Sequence, residues 1–219
     1  SDTLSTVRRG GVVVVGAGKN KSQAWEPKII TRKGQKIAFL AFSEITPGAF
    51  AATSQHSGTA YTQSISSIMK SVKAARKKAD YVVVSMHWGV EKKYDANARQ
   101  KSEAHALINA GADVVLGHHP HRIQGIEYYH GKLIAYSLGN FVFSAASTGS
   151  TDTYILSLTL GNGKVVKASA RPVVIVSGQP RITSMSSSSG KRISKVLIEK
   201  SRARKTHVSK TSSSLIFKP

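Results

Sequence analysis

Two stretches decide the fold: residues 81–89 read Tyr-Val-Val-Val-Ser-Met-His-Trp-Gly, and residues 113–121 read Asp-Val-Val-Leu-Gly-His-His-Pro-His. In each stretch a short, β-branched apolar run is followed directly by histidine. Such runs are typical of strands that are buried on both faces of a parallel sheet. Because the carboxyl ends of parallel strands open onto one crevice, we expect both histidine clusters to face the same site.

Four histidines follow these two strands, namely His87, His118, His119 and His121. Imidazole is the commonest protein ligand for first-row metals, and the chain has no cysteine to compete with it. A lone histidine at such a position caps a strand or bonds to the backbone, but two clusters at two strand ends favour a site. For His119 a solvent-facing loop position is an equal alternative.

The chain is strongly basic, with 32 lysines and arginines against 11 aspartates and glutamates and a formal net charge of +21. An excess of this size attracts polyanions such as nucleic acid, anionic lipid or polyglutamate, and it says nothing about the fold. The 219 residues suffice for one domain with a substantial core, or for one domain and a tail. The sequence contains no run of 18 or more apolar residues, which is the pattern that predicts a membrane-spanning helix.

Periodicity along the chain predicts an α/β half followed by an antiparallel β half. In the first half we expect buried strands at 12–15, 37–43, 81–86 and 113–116, a hairpin turn at 34–35, and helices within 61–79 and near 96–110. In the second half, turn residues at 130–132 and 161–163 predict two β-hairpins, 123–138 and 154–176. The order strand, helix, strand over 81–116 is typical of a βαβ unit.

Beyond residue 180 the chain is rich in Ser, Lys and Arg, and its apolar residues are sparse. Segments of this composition rarely bury enough apolar surface to fold. We therefore expect residues 181–219 to be a mostly disordered basic tail, with at most a short strand or helix at 193–198.

Five stretches in this order resemble the bacterial capsule-synthesis CapA family, the poly-γ-glutamate synthesis proteins of the calcineurin-like metallophosphoesterase superfamily. They are 16–20 with Ala24 and Pro27 beyond, 87–91, 105–113, 117–124 and 136–143. The resemblance implies an α/β sandwich of two mixed β-sheets flanked by helices, with antiparallel hairpins toward the C-terminus. It makes residues 1–180 the C-terminal portion of the family's domain, with residues 1–11 as a helix.

The resemblance also assigns roles to the histidines. His87 and His118 correspond to metal ligands, and His121 is a third ligand or the catalytic acid that protonates the leaving oxygen. Around them we place His119, Trp88, Glu91 and Asn140 as candidate substrate contacts. Core packing for Trp88, a solvated loop for Glu91 and a turn role for Asn140 are the respective alternatives.

The chemistry implied by the resemblance is phosphoester hydrolysis by metal-activated hydroxide. It needs two divalent ions in the full-length protein (Mn, Fe, Zn or Mg), and an anionic polymer or a phosphoester is the expected substrate. The superfamily's aspartate and Asn-His motifs would lie before Ser1. The chain is then either a fragment of a longer protein or a degenerate version of the domain. We favour the fragment, and we expect little or no hydrolytic activity from it alone.

Two other classes of function remain open. The chain could be a non-catalytic component that binds a polyanion during cell-envelope polymer assembly or export. It could also bind nucleic acid through the basic tail, although no zinc finger, helix-turn-helix or RNA-recognition signature accompanies that tail. The resemblance implies a location in the cell envelope or outside the cell. An anchor in the membrane could lie before Ser1, and other membrane components of capsule synthesis are the candidate partners.

Overall fold

The computed structural model describes residues 2–144 and 150–219. The chain divides into two compact units. The first unit contains everything up to Trp88 together with His105–Val115, and the second contains Gly89–Ala104 and Leu116–Pro219. Each unit combines helices with β-strands, and the C-terminal strands are antiparallel, so the predicted mixed α/β class is confirmed.

Five helices and thirteen strands are found in the described residues. The helices are α1 (Asp2–Arg9), α2 (Lys21–Trp25), α3 (Ile65–Arg76), α4 (Ala98–Asn109) and α5 (Ser188–Arg202), and a 3-10 turn spans Gly48–Phe50. The strands are β1 (Ala17–Gly18), β2 (Lys28–Arg32), β3 (Gln35–Ser43), β4 (Gly58–Thr59), β5 (Tyr81–His87), β6 (Val114–His118), β7 (Ile126–Tyr129), β8 (Lys132–Ala135), β9 (Asp152–Gly161), β10 (Lys164–Val176), β11 (Gln179–Ile182), β12 (His207–Lys210) and β13 (Leu215–Lys218). Within these residues no helix is long and apolar enough to cross a membrane.

The core of the first unit is built around β3 and β5. Strand β3 pairs antiparallel with β2 and parallel with β5, in a register that places Ser43 beside His87. Helix α3 begins after Ser64, whose side chain accepts a hydrogen bond from the Ser67 amide, and it packs its buried stripe against this sheet. The predicted strands at 37–43 and 81–86, the hairpin turn and the helix within 61–79 are therefore confirmed.

Asp113 fixes the start of β6 in the first unit. Its buried carboxylate accepts hydrogen bonds from the Val82 amide at 2.8 Å and from Arg76 Nη1 at 2.6 Å. The Asp113 amide in turn donates to the Val82 carbonyl at 2.8 Å. A buried carboxylate that is paired and hydrogen-bonded in this way specifies which backbone lies beside β5.

The second unit is organised by long antiparallel pairings. Strands β9 and β10 form one hairpin through Asn162 and Gly163, both with positive φ, and β7 and β8 form another through His130 and Gly131. Positive φ at both central residues is the requirement of a type I′ turn. Strand β10 also pairs with β11 and β13, and β13 pairs with β12. Both predicted hairpins are confirmed.

The predicted buried strand over residues 12–15 is wrong. This segment forms no ladder in the described part of the chain, and Val12 and Val13 are each 59% exposed. The Val12 amide donates instead to the Val7 carbonyl of α1 at 3.2 Å. An apolar run forms a strand only where a partner strand satisfies its backbone groups, and none lies beside this run in the described residues.

The predicted disorder of residues 181–219 is also wrong. Ser187 caps α5 by accepting a hydrogen bond from the Gly190 amide at 3.0 Å, and Arg192 makes two 2.7 Å contacts with Asp152. The apolar residues of this segment are few but regularly placed. The buried apolar residues are four apart on α5 (Ile193 and Leu197) and two apart on β13 (Leu215 and Phe217), and β12 adds Val208.

Candidate metal site

The predicted site residues belong to both compact units. His87 and Trp88 end the N-terminal segment of the first unit, whereas the other five lie in the second: Glu91, His118, His119, His121 and Asn140.

In the first unit, His87 is the last residue of β5, and its carbonyl accepts a hydrogen bond from the Glu44 amide at 3.0 Å. Trp88 is fully buried, which favours the alternative of core packing over contact with substrate. Glu44 is a buried carboxylate at the end of β3, beside the strand that ends in His87. The sequence analysis missed it, although an acidic residue directly after the apolar run 37–43 was the available signal.

In the second unit, Glu91, His119 and His121 come together. Each offers one ligand atom, and these three atoms all lie within 4.8 Å of one another. One carboxylate and two imidazoles are the donor set of several catalytic zinc sites, and they also suit other first-row divalent ions. The donor set therefore fits a divalent metal ion, with Glu91 and His119 as ligands rather than only as substrate contacts. His118 is not a member of this group and stays a predicted ligand.

The loop that carries the two histidines has an unusual backbone. His119 has φ +97° and His121 has φ +55°, with Pro120 between them. For a residue with a β-carbon, the left-handed region costs about 1–2 kcal/mol. Strain of this kind concentrates at functional sites, where the surrounding structure maintains it. The observed strain is a second reason to place function at this loop.

Asn140 lies behind His121. Its Oδ1 is 2.7 Å from His121 Nδ1, and its Nδ2 faces the Ser150 carbonyl at 3.5 Å. With the amide in this orientation Oδ1 accepts, so Nδ1 carries the proton and Nε2 keeps its lone pair. A partner of this kind orients a metal-binding histidine and raises its basicity. Asn140 thus lies against His121, a candidate ligand, and its predicted contact with substrate stays a prediction.

Burial shifts two of these histidines, His118 and His119, toward their neutral form. It lowers the pKa of His118, and it is also the main cause that lowers the pKa of His119. For His119 the negative charge of Glu91 partly opposes this shift, and His121 adds to it. Because neutral imidazole is the form that binds metal, burial reduces the competition from protons at these side chains.

Comparison with known proteins shows which family the chain belongs to. Residues 1–145 match the profile described as bacterial capsule synthesis protein PGA_cap. The chain belongs to this family. It is 36% identical over 181 residues to the PGA biosynthesis protein CapA of Bacillus subtilis, with 82% of this chain and 47% of the relative covered. It is 31% identical over 183 residues to the capsule biosynthesis protein CapA of Bacillus anthracis, with 82% and 44% covered.

The chain thus spans about half the length of these curated relatives. Among solved structures, the sulfate thiohydrolase SoxB of Thermus thermophilus aligns with a TM-score of 0.46 and 16% identity, covering 84% of this chain and 30% of that one. A TM-score below 0.5 does not establish a common fold, so the family rests on the sequence matches.

Proposed function

We propose that this chain supplies the histidine-rich part of a divalent metal site that hydrolyses a phosphoester in a longer capsule-synthesis protein. The observation that carries the proposal is the group Glu91, His119 and His121, whose ligand atoms lie within 4.8 Å of one another. The position of Asn140 behind His121 supports it, because a metal ligand needs a fixed tautomer.

In this proposal Glu91, His119 and His121 hold the ion, and His118 is a further ligand from the same unit. His87, in the first unit, stays a predicted metal ligand. A bound divalent ion lowers the pKa of a water molecule, so that hydroxide is available near neutral pH, and it neutralises charge on the phosphoryl group. Asn140 keeps the proton of His121 on Nδ1. If His121 does not bind metal, its protonated form is placed to give a proton to the leaving oxygen.

The first test is metal binding by calorimetry with Zn²⁺, Mn²⁺ and Co²⁺. We expect one ion to bind per chain, and each of the variants Glu91→Gln, His119→Asn and His121→Asn to weaken binding by at least about tenfold. Glu199→Gln and His207→Asn are matched controls, because both residues are exposed and lie in the second unit. Equal binding by the site variants and the controls would refute the metal site.

The second test is turnover with bis-p-nitrophenyl phosphate. We expect little or no hydrolysis from these 219 residues, and metal-dependent hydrolysis from the full-length protein that is lost in His121→Asn. Metal-dependent hydrolysis by the short chain would show that it needs no further ligands. Absence of hydrolysis from a metal-loaded full-length protein would refute the catalytic role and leave the metal site intact.

We also propose a location and partners for the full-length protein. The relatives are described by their names as capsule or PGA biosynthesis proteins. A protein that takes part in making such a polymer would act in the cell envelope, together with membrane components of the synthesis machinery. Fractionation of cells that express the full-length protein tests this location, and recovery from the cytosol alone would contradict it.

A second candidate function, binding of an anionic polymer, is favoured by the charge on α5. Lys191, Lys195 and Arg202 are exposed and lie four and seven residues apart, which places them along one face of the helix. Such a row matches the repeated negative charges of polyglutamate. The net charge of +21 would attract the polymer from a distance.

This second function has its own test. Replacing Lys191, Lys195 and Arg202 together by Gln should weaken binding to poly-γ-glutamate at low salt, and raising the ionic strength should weaken binding by the unmodified chain, whereas a chelator should have no effect. Equal affinity for duplex DNA would indicate general attraction to polyanions. Binding that survives high salt but fails with chelator would contradict the charge-based proposal.

A further inference from the structure

Two buried amide side chains, those of Gln100 and Gln124, hydrogen-bond to each other in the second unit. Gln100 Nε2 donates to Gln124 Oε1 at 3.1 Å, and the two side chains are 1% and 0% exposed. Buried polar groups are retained where all their hydrogen bonds can be made. What these two amides hold in place is the loop that carries Glu91.

The far sides of both amides bond to that loop. Gln124 Nε2 donates to the Lys93 carbonyl at 3.0 Å, and Gln100 Oε1 accepts from the Asn97 amide at 3.0 Å. Asn97 Oδ1 accepts in return from the backbone N–H of Gln100 at 2.8 Å, and this bond caps the start of α4. The chain that follows Glu91 is thus fixed at Lys93 and again at Asn97.

The chain that precedes Glu91 is fixed by close packing. Gly89 has φ +93°, and a β-carbon there would lie 2.7 Å from the side-chain carbonyl carbon of Gln100. No other residue fits at this position without displacing the amide. Glu91 therefore lies in a short loop whose start rests on Gln100.

The same pair ties the Glu91 loop to the histidine loop. Gln124 comes three residues after His121, and its backbone N–H donates to the Ser137 carbonyl at 3.1 Å. Within the loops, the Lys92 amide donates to the Pro120 carbonyl at 2.8 Å, between His119 and His121. Hydrogen bonds therefore join the loop that carries Glu91 to the loop that carries His119 and His121, next to the three ligand atoms.

We propose that Gln100 and Gln124 are positioning residues that hold Glu91 within ligand distance of His119 and His121, on the basis of the metal site proposed above. An amide suits this role because one end donates while the other accepts. Glutamate at position 124 would keep the acceptor for Gln100 but lose the donor for Lys93, and leucine would lose both.

A buried amide pair could also serve stability alone, and a double-mutant cycle on metal affinity separates the two roles. If Gln124 acts through Glu91, then Glu91→Gln should lower the metal affinity of the unmodified chain but not that of a chain that already lacks Gln124. If it serves only stability, the two substitutions should lower the affinity independently of each other.

The experiment measures Zn²⁺ affinity by calorimetry and the visible absorption of bound Co²⁺, with circular dichroism as the check on folding. We expect Gln124→Leu to lower Zn²⁺ affinity by about 10–100-fold and to change the Co²⁺ spectrum, because a ligand is displaced. Adding Glu91→Gln to Gln124→Leu should change the affinity by less than about twofold. Gln179→Leu is the matched control, since Gln179 is exposed in the β10–β11 hairpin.

Gln124→Glu is the second variant, used if Gln124→Leu does not fold, and it should give the same lack of additivity with Glu91→Gln. Independent losses from Gln124 and Glu91 would overturn the positioning role and leave the metal site standing. No effect of Glu91→Gln on the unmodified chain would refute Glu91 as a ligand and the positioning role with it.

Discussion

His121 Nδ1 and Asn140 Oδ1 lie 2.7 Å apart, and the amide of Asn140 is turned so that its NH₂ group faces the Ser150 carbonyl. This contact joins two sequence stretches that were identified separately, the histidine cluster at 117–121 and the segment 136–143. An acceptor behind the ring decides which nitrogen faces the candidate ion. The two stretches therefore meet at the candidate site in the second unit.

We predict that Asn140→Leu lowers Zn²⁺ affinity by about 10–100-fold, because the loss of the acceptor frees both the tautomer and the ring orientation of His121. Asn140→Asp should keep the affinity or raise it, since a carboxylate is the stronger acceptor. Calorimetric titration measures both. Asn109→Leu at the exposed end of α4 is the control, and equal affinities for Asn140→Leu and that control would argue against the role of Asn140.

His119→Gly should separate stability from function. Glycine adopts φ +97° without a steric penalty, so the variant should be more stable to urea by up to about 1 kcal/mol. The same variant should bind Zn²⁺ at least about tenfold more weakly, since one ligand is lost. Lys33→Gly, at φ +49° in the β2–β3 turn, should gain stability without a loss of affinity. Unchanged metal affinity in His119→Gly would remove His119 from the site.

Leu197→Ala tests the folded C-terminal segment. Leu197 is fully buried on α5, and truncation of a buried leucine costs about 2–5 kcal/mol of unfolding free energy. Lys195→Ala on the exposed face of the same helix should cost less than about 0.5 kcal/mol. Urea unfolding at neutral pH compares the two, and equal small effects would mean that α5 does not pack as described.

Helices α3 and α4 and the two hairpins could be predicted from the sequence because these elements depend on local patterns. Alternation and 3.6-residue spacing are visible in any window of ten residues, and the turn residues at 130–132 and 161–163 have strong local preferences. The C-terminal segment was mispredicted because composition was weighed above spacing. Ile193 and Leu197 are four apart and bury one face, whereas Lys195 between them lies on the exposed face.

The ligand group could be predicted only in part. His121 and Glu91 were both candidates, yet their proximity depends on the Lys92–Pro120 hydrogen bond and on the buried pair Gln100 and Gln124. Such contacts join residues that are far apart in the chain, and the periodicity of the sequence does not predict them. For Trp88 both contact with substrate and core packing stayed open, because a strand end does not reveal which side chains the fold covers; its burial favours packing.

The final prediction concerns alkaline pH and the contact of Tyr136 with Glu127. The Tyr136 hydroxyl donates to Glu127 Oε2 at 2.7 Å, and the Arg204 guanidinium lies 4.4 Å from the centre of the ring. Burial raises the pKa of Tyr136, the hydrogen bond and charge of Glu127 raise it further, and Arg204 partly opposes them. Arg204 follows α5, so this cluster holds the C-terminal segment against β7 and β8.

The direction of the pH effect follows from which state keeps the proton. In the unfolded chain the tyrosine hydroxyl has a pKa of about 10, whereas folded Tyr136 has a raised pKa and stays protonated. Above about pH 10 the unfolded state therefore releases a proton that the folded state retains. The contribution of Tyr136 to stability is complete below that pH and is lost progressively as the pH rises above it.

Tyr136→Phe should accordingly be less stable than the unmodified chain at pH 8, by about 1–2 kcal/mol, because the hydrogen bond to a charged acceptor is lost. Its unfolding free energy should then fall less steeply above pH 10, by up to about 1.4 kcal/mol per pH unit for the one proton removed. Urea unfolding between pH 8 and 11, with tyrosinate absorbance recorded alongside, measures both quantities. Tyr94→Phe is the control, since the Tyr94 side chain is exposed. Parallel pH profiles for Tyr136→Phe and the unmodified chain would mean that Tyr136 ionises as readily in the folded state as in the unfolded one, and the cluster with Glu127 would then not be closed in solution.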